Sequence, residues 1–340
     1  MEGREQRELR IEQRIAQKLR QEPLYLTEFY AWMNGKTSVT KDKYISYVLG
    51  FLDFCKRELE KDVSSQEFIR EITLDDLNRY VQDISYKTEK DEIVGRNDPN
   101  TMNAKICAVS TFFRYMNYKG IISGNLCERL DRPKIPDKDG LTFLTPEEIS
   151  EVMDNLENGV GSWKAKSKQR RWQSRDRVIL ALPLITGIRI SALIDINVDD
   201  LDLDKGELTV TEKENKRRVF VLPEKMLYIL RMWLVDRQRI VSQYIGEEKA
   251  LLITVYGNRC KRIGYTCVND VIKKYSASTG KKITEHKLRA SFAVNTYDAT
   301  GDIYLVGEVL GHKNPQTTKR YMRASEEKKK NALEKMSKLI

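Results

Sequence analysis

Between Arg132 and Gly140 the chain reads Arg132-Pro133-Lys134-Ile135-Pro136-Asp137-Lys138-Asp139-Gly140, and neither helix nor strand can run through it. Two prolines remove backbone donors, and a glycine and mixed charges favour solvent. The break divides 340 residues into two parts, each long enough to bury a core of its own.

The N-terminal part is patterned as helix. Residues 1–21 are almost entirely charged or helix-favouring and read as an exposed helix or frayed arm. From 22 to 131 apolar residues recur at helical spacing. Tyr44, Tyr47, Val48, Phe51, Leu52 and Cys55 share a face of a helix over Lys41–Leu59, and Ile106, Val109, Phe113 and Met116 a face of another over Asn100–Tyr118. Thr73, followed by Asp75 and Asp76, is an N-cap with acids in the first turn.

After the break, Thr145-Pro146-Glu147-Glu148 opens a new helix by the same logic. Residues 159–175, with Lys164, Lys166, Lys168, Arg170 and Arg171, read as a basic loop, either solvated or lying on phosphates. Arg177–Ile185 is apolar and helical, and Pro183 should kink or end it. One strand pair stands out: Gly206–Thr211 alternates, a polar turn follows, and Arg218–Leu222 has the composition of a buried strand. The remainder returns to helix.

Lys and Arg number 60 against 50 Asp and Glu, and a net charge of +10 favours polyanionic partners, nucleic acid above all. The five cysteines are odd in number and dispersed, without CxxC spacing, which argues against a disulfide framework or zinc module and for a reducing compartment. No apolar run is long enough to span a bilayer, and the first residues do not read as a leader peptide. The expected location is the cytoplasm, on the nucleoid.

Both histidines of the chain, His286 and His312, fall in its last sixty residues, and Tyr321 follows His312 by nine. Clustering with Arg289 and a glycine turn suggests shared chemistry. Transfer of a phosphodiester requires a nucleophile, permanent cations on the non-bridging oxygens, and groups that move two protons. A covalent intermediate conserves the bond energy, so no ATP is needed to reseal the strand, and such a set of side chains suffices without a metal. Two arginines, a lysine, histidines and a tyrosine meet that list. The second arginine candidate is Arg189, presented after a buried segment and Gly187.

Together these boxes resemble the tyrosine recombinase, or lambda-integrase, family. Its TGxR box is met by Thr186-Gly187-Ile188-Arg189, its HxxR box by His286-Lys287-Leu288-Arg289, its GH box by Leu310-Gly311-His312, and its nucleophile by Tyr321 within Thr317-Thr318-Lys319-Arg320-Tyr321. The flanks Ala290-Ser291-Phe292-Ala293 and Gly307-Glu308-Val309 agree as well. The likeness covers roughly 141–325, and the N-terminal part matches only in kind. It implies a mainly α fold with a small antiparallel sheet: a helical core-binding domain and an α+β catalytic domain that together form a C-shaped clamp on duplex DNA. The expected division is an arm at 1–21, a DNA-binding domain at 22–131, a linker at 132–140, a catalytic domain at 141–325, and a C-terminal helix at 326–340.

The resemblance also assigns roles. Tyr321 attacks phosphorus to leave a 3′-phosphotyrosine, Arg189 and Arg289 stabilise the transition state, His286 assists proton transfer, and His312 bonds a phosphate oxygen. The hairpin delivers a general acid, Lys213 by best alignment with Lys216 as runner-up. No cofactor is implied. Partners would be DNA with inverted half-sites, three further copies in a tetramer that resolves a Holliday junction, and an accessory directionality factor as a further candidate. Leu333, Met336 and Leu339 or Ile340 form an apolar stripe that packs either on its own domain or in trans on a neighbour. Only about twenty residues precede the helical domain, too few for the arm-binding domain of larger phage integrases, so a simple integrase or transposon recombinase is expected. Chromosome-dimer resolution, and DNA relaxation by a type IB topoisomerase, are the alternatives. One position departs from the family: three residues after Arg189, where Glu or Asp is usual, stands Ala192. A nearby acid such as Asp195 could replace it.

Overall fold

The computed structural model describes residues 2–89, 92–135, 141–212, 216–244, 249–311, 314, 316–322, 333 and 336–337. The chain divides into two compact units, Met1–Asp137 and Lys138–Ile340. Both are mainly helical, as expected, and each carries small antiparallel sheets. Among the described residues no helix is long and apolar enough to cross a membrane.

The first unit consists of α1 (Glu2–Leu19), α2 (Leu24–Trp32), α3 (Ser38–Leu59), α4 (Leu74–Asp83), a hairpin of β1 (Tyr86–Glu89) and β2 (Glu92–Arg96), and α5 (Pro99–Tyr118). The expected faces of α3 and α5 meet in one core, where Phe51 lies 6.1 Å from Phe113 and edge-on to Tyr80 at 5.0 Å. Thr73 and Asp76 close a reciprocal capping box at the start of α4. Thr73→Ala should lower stability by about 1 kcal/mol, seen as an earlier urea midpoint.

Helix α1 is docked rather than free. Ile15 and Leu19 are buried in the core, and Asp42 of α3 accepts from Arg14 at 2.5 Å and Lys18 at 2.8 Å. Burial pushes the Asp42 carboxyl up, but the bonds from Lys18 and Arg14 outweigh it and leave it below the usual range. The charge that makes this segment look like an arm is thus partly used in attachment. The β1–β2 ribbon was also unexpected within a helical part. Every residue of β2 is exposed, so no apolar alternation marks it. Asn97 fastens its base, donating at 2.9 Å to both the Ile84 and Tyr86 carbonyls.

The second unit runs α6 (Pro146–Asn158), α7 (Trp163–Arg170), α8 (Gln173–Thr186), α9 (Ile190–Asp195), a sheet of β3 (Leu201–Asp202), β4 (Glu207–Thr211) and β5 (Arg217–Val221), α10 (Glu224–Val241), a hairpin of β6 (Ile253–Tyr256) and β7 (Arg259–Arg262), then α11 (Tyr265–Ser276), α12 (Glu285–Thr300), α13 (Ile303–Leu310) and α14 (Gln316–Met322). Helix α8 is central, packed by α6, α10, α11 and α12. Leu180, Leu182, Leu230, Trp233, Ile272 and Leu288 are fully buried around it.

Several expectations are corrected. The basic 159–175 stretch contains a helix, α7, capped by Ser162 and tied down by Gln169, whose side chain bonds both backbone groups of Val160. Helix α8 continues past Pro183 to Thr186, since a proline one turn from the end costs few bonds. β5 is half-buried: Val219 and Val221 face out, and Arg218 and Phe220 face in. β6 and β7 form a second hairpin where only helix was expected. β7 reads Arg-Cys-Lys-Arg, with no strand-like composition, and is held by Arg262, which donates to the Ile194 and Ile196 carbonyls.

Candidate active site

The site is built on two glycine-terminated helices. Helix α8 ends at Gly187 with φ +63°, turning the chain so that Arg189 becomes the N-cap of α9. A Cβ at Gly187 would lie 2.5 Å from Phe292 Cδ1 and 2.8 Å from Leu310 Cδ2, so α8 meets α12 and α13 only because no side chain is there. Helix α13 ends at Gly311 with φ +65°, where a Cβ would stand 2.9 Å from Arg218 Nη1 and 3.3 Å from Glu212 Oε2.

Arg289 links these turns. It rises from α12 into the interior, donates from Nη1 to the Gly187 carbonyl, and donates from Nη2 to the Leu310 carbonyl at 2.5 Å. Burial, then the neighbouring Arg189 charge, pull its pKa down to about 10, against the opposing pull of Tyr321 and Glu212. It remains a full cation at neutral pH.

Arg189 is partly exposed, and its Nη1 donates to Glu212 Oε2 at 3.0 Å. Arg218, on the inward face of β5, places Nη1 3.7 Å from Glu212 Oε1 and donates from Nη2 to the Val309 carbonyl at 2.8 Å and the Glu308 carbonyl at 3.2 Å. Tyr321 on α14 is 1% exposed, in a small core with Phe292, Val306 and Leu310. The fold thus draws Arg189, Arg289 and Tyr321 into one region: Arg289 bonds the Gly187 carbonyl, two residues before Arg189, and the carbonyl of Leu310, which shares a core with Tyr321.

His286 occupies the first turn of α12, three residues before Arg289 and therefore on a neighbouring face. Its ring is 81% exposed, with Nε2 3.5 Å from Glu285 Oε1, and the same Glu285 oxygen accepts from the Tyr265 hydroxyl. Lys216 is exposed, and its carbonyl accepts from the Glu212 amide at 2.8 Å. Lys213 and His312 lie outside the described residues. Of the terminal stripe, Leu333 and Met336 are described and largely exposed, while Leu339 and Ile340 lie outside.

Ala192 is buried on α9, as a small apolar residue there should be. The acid found on Arg189 is Glu212. Glu212 and Arg218 were not singled out from the sequence. The signal that could have found Arg218 is the alternation of β5, which points it to the same side as Phe220.

Residues 142–328 match the family model described as the phage integrase family. The chain belongs to the phage integrase family. Among curated members, tyrosine recombinase XerA of Thermococcus kodakarensis is 30% identical over 241 residues, 71% of this chain and 76% of that protein. Tyrosine recombinase XerC of Roseiflexus castenholzii is 28% identical over 259 residues, 76% of each chain. In fold this phage integrase family member is similar to XerH site-specific recombinase bound to difH substrate, at TM-score 0.62 and 18% identity over 91% of this chain and 83% of that one. A lambda integrase dimer bound to a COC′ core site gives TM-score 0.62 at 16% identity, covering 89% of this chain and 94% of that one.

Proposed function

We propose that this chain is a site-specific DNA recombinase in which Tyr321 attacks the scissile phosphate, forming a 3′-phosphotyrosine and releasing a 5′ hydroxyl. The reading rests on one observation above all: Arg289 joins the Gly187 turn that presents Arg189 to Leu310, which packs in one cluster with Tyr321, so two guanidiniums and a phenol from separated segments converge. Arg189 and Arg289 compensate charge on the non-bridging oxygens, where a preorganised cation acts without reorganisation cost. His286 accepts the phenol proton, and its exposure leaves it accessible to a docked phosphate. His312 bonds a phosphate oxygen. Lys213, or Lys216, protonates the leaving oxygen from the β4–β5 hairpin. Because the covalent link stores the bond energy, rejoining needs no ATP, and with the guanidiniums compensating the phosphate charge no metal is called for.

The family relatives named tyrosine recombinase, and a structural neighbour that is a Tn1549 transposon integrase in complex with transposon right end DNA, support DNA strand transfer as the reaction. A lambda integrase tetramer bound to a Holliday junction is among those neighbours and supports assembly of four copies, exchanging strands in pairs. The terminal stripe would then dock in trans, and an accessory factor would set direction. A Tn1549 transposon integrase neighbour is compatible with a mobile-element role, and the Xer-named relatives with chromosome-dimer resolution.

Selection of bound duplexes from a random pool tests the reading. Inverted half-sites around a spacer of about six to eight base pairs, less than one helical turn, are expected. Incubated with such a duplex nicked near the cut, the protein should form an adduct that survives denaturing electrophoresis. A protein that binds the selected DNA and never becomes attached to it is no recombinase.

A further inference from the structure

We propose that Glu212 is the positioning residue for Arg189 in strand cleavage, supplying from the β4–β5 hairpin the carboxylate that position 192 lacks; this rests on the recombinase reading above. Arg189 is a long side chain at a helix start, with 29% of its side chain open to solvent, and left alone it would sample many rotamers. Glu212 is only 8% exposed, and a buried carboxylate persists only where cations hold it. Its Oε2 holds Arg189 at 3.0 Å, while Oε1 lies 3.7 Å from Arg218 Nη1. Neither Glu212 Oε1 nor Arg218 Nη1 has a hydrogen-bond partner among the described residues. The firm contact is therefore the one to Arg189, and Arg218 faces the second oxygen as a counter-charge.

The setting limits where the carboxylate can go. A Cβ on Gly311 would be 3.3 Å from Glu212 Oε2, so the turn after α13 walls it in. Arg218 is fixed to the last turn of α13 through the Glu308 and Val309 carbonyls. On the other side Ala192, on α9 beside Arg189, brings no charge. An acid from the strand end does what an acid one helical turn along α9 would otherwise do.

Glu212 also precedes the hairpin turn, so it could act through leaving-group protonation instead. A 5′-bridging phosphorothiolate duplex separates the two, because a thiolate leaves without a proton. Single-turnover cleavage by Glu212→Ala should slow by between tenfold and about 100-fold, the cost of a guanidinium misplaced by about 1 Å. DNA affinity should be retained, and the loss should persist on the phosphorothiolate. Glu212→Gln keeps the shape and an acceptor for Arg189, and should fall between. If Glu212→Ala does not fold, Glu212→Gln is read on both substrates by the same criteria. Cleavage at the unaltered rate would overturn the proposal, and so would a loss that vanishes on the phosphorothiolate. Absence of any adduct with the unaltered protein would instead sink the recombinase reading.

Discussion

Tyr321→Phe should bind selected DNA as the unaltered protein does and form no covalent adduct with it. The substitution removes one oxygen and keeps the ring that fills the core of Phe292, Val306 and Leu310. Any hydrogen bond lost with the hydroxyl costs about 1 kcal/mol, too little to unfold the unit. Affinity comes from phosphate contacts by lysine and arginine, which the change leaves alone. Removing a nucleophile that nothing replaces should depress attachment on the order of 10⁴-fold or more. End-labelled nicked duplex followed on a denaturing gel measures it. A retarded band of undiminished intensity would place the nucleophile elsewhere.

The largest effect on stability is expected from the smallest added group, a methyl at Gly187. An alanine with φ near +63° pays the left-handed backbone penalty, about 1–2 kcal/mol. Its Cβ would also sit 2.5 Å from Phe292 and 2.8 Å from Leu310, and neither ring nor branched chain can retreat within a packed cluster. Overpacking adds about 1–3 kcal/mol. Gly187→Ala should therefore destabilise the second unit by about 2–5 kcal/mol, seen as a shift of its urea midpoint. Cleavage should fall as well, because the Gly187 carbonyl is one of the acceptors that orients Arg289. A variant as stable as the parent would show that the packing of α8 against α12 and α13 is looser than it stands here. Serine should behave as badly, which separates this from a simple propensity effect.

Much of this was legible beforehand because its signals are local. The Thr73 and Thr145 caps, the faces of α3 and α5, and the β4–β5 pair are each written within a few residues. The glycine of the first box was legible for the same reason, since a turn before Arg189 needs a left-handed residue. What stayed hidden depends on partners far along the chain. The docking of α1 needs Asp42, twenty-eight residues from Arg14, and the β7 strand needs the carbonyls of Ile194 and Ile196. Glu212 was invisible as a partner of Arg189 because a carboxylate in a polar hairpin looks solvated until its burial is known. His286 runs the other way: the motif assigns it to the site, and its ring lies largely in solvent.

The carbonyls that close α13 carry a last consequence. Glu308 and Val309 are held by Arg218, and Leu310 by Arg289, so neutral oxygens orient two guanidiniums without cancelling their charge. Among the described residues Glu212 is the one anion paired with Arg189 and Arg218, and with Arg289 three positive groups outnumber it. Such a socket is attractive to any phosphodiester that reaches it, whatever bases flank the linkage. Discrimination between sequences must therefore be exercised before the backbone arrives, by surfaces that decide which stretch of duplex stays long enough to be presented.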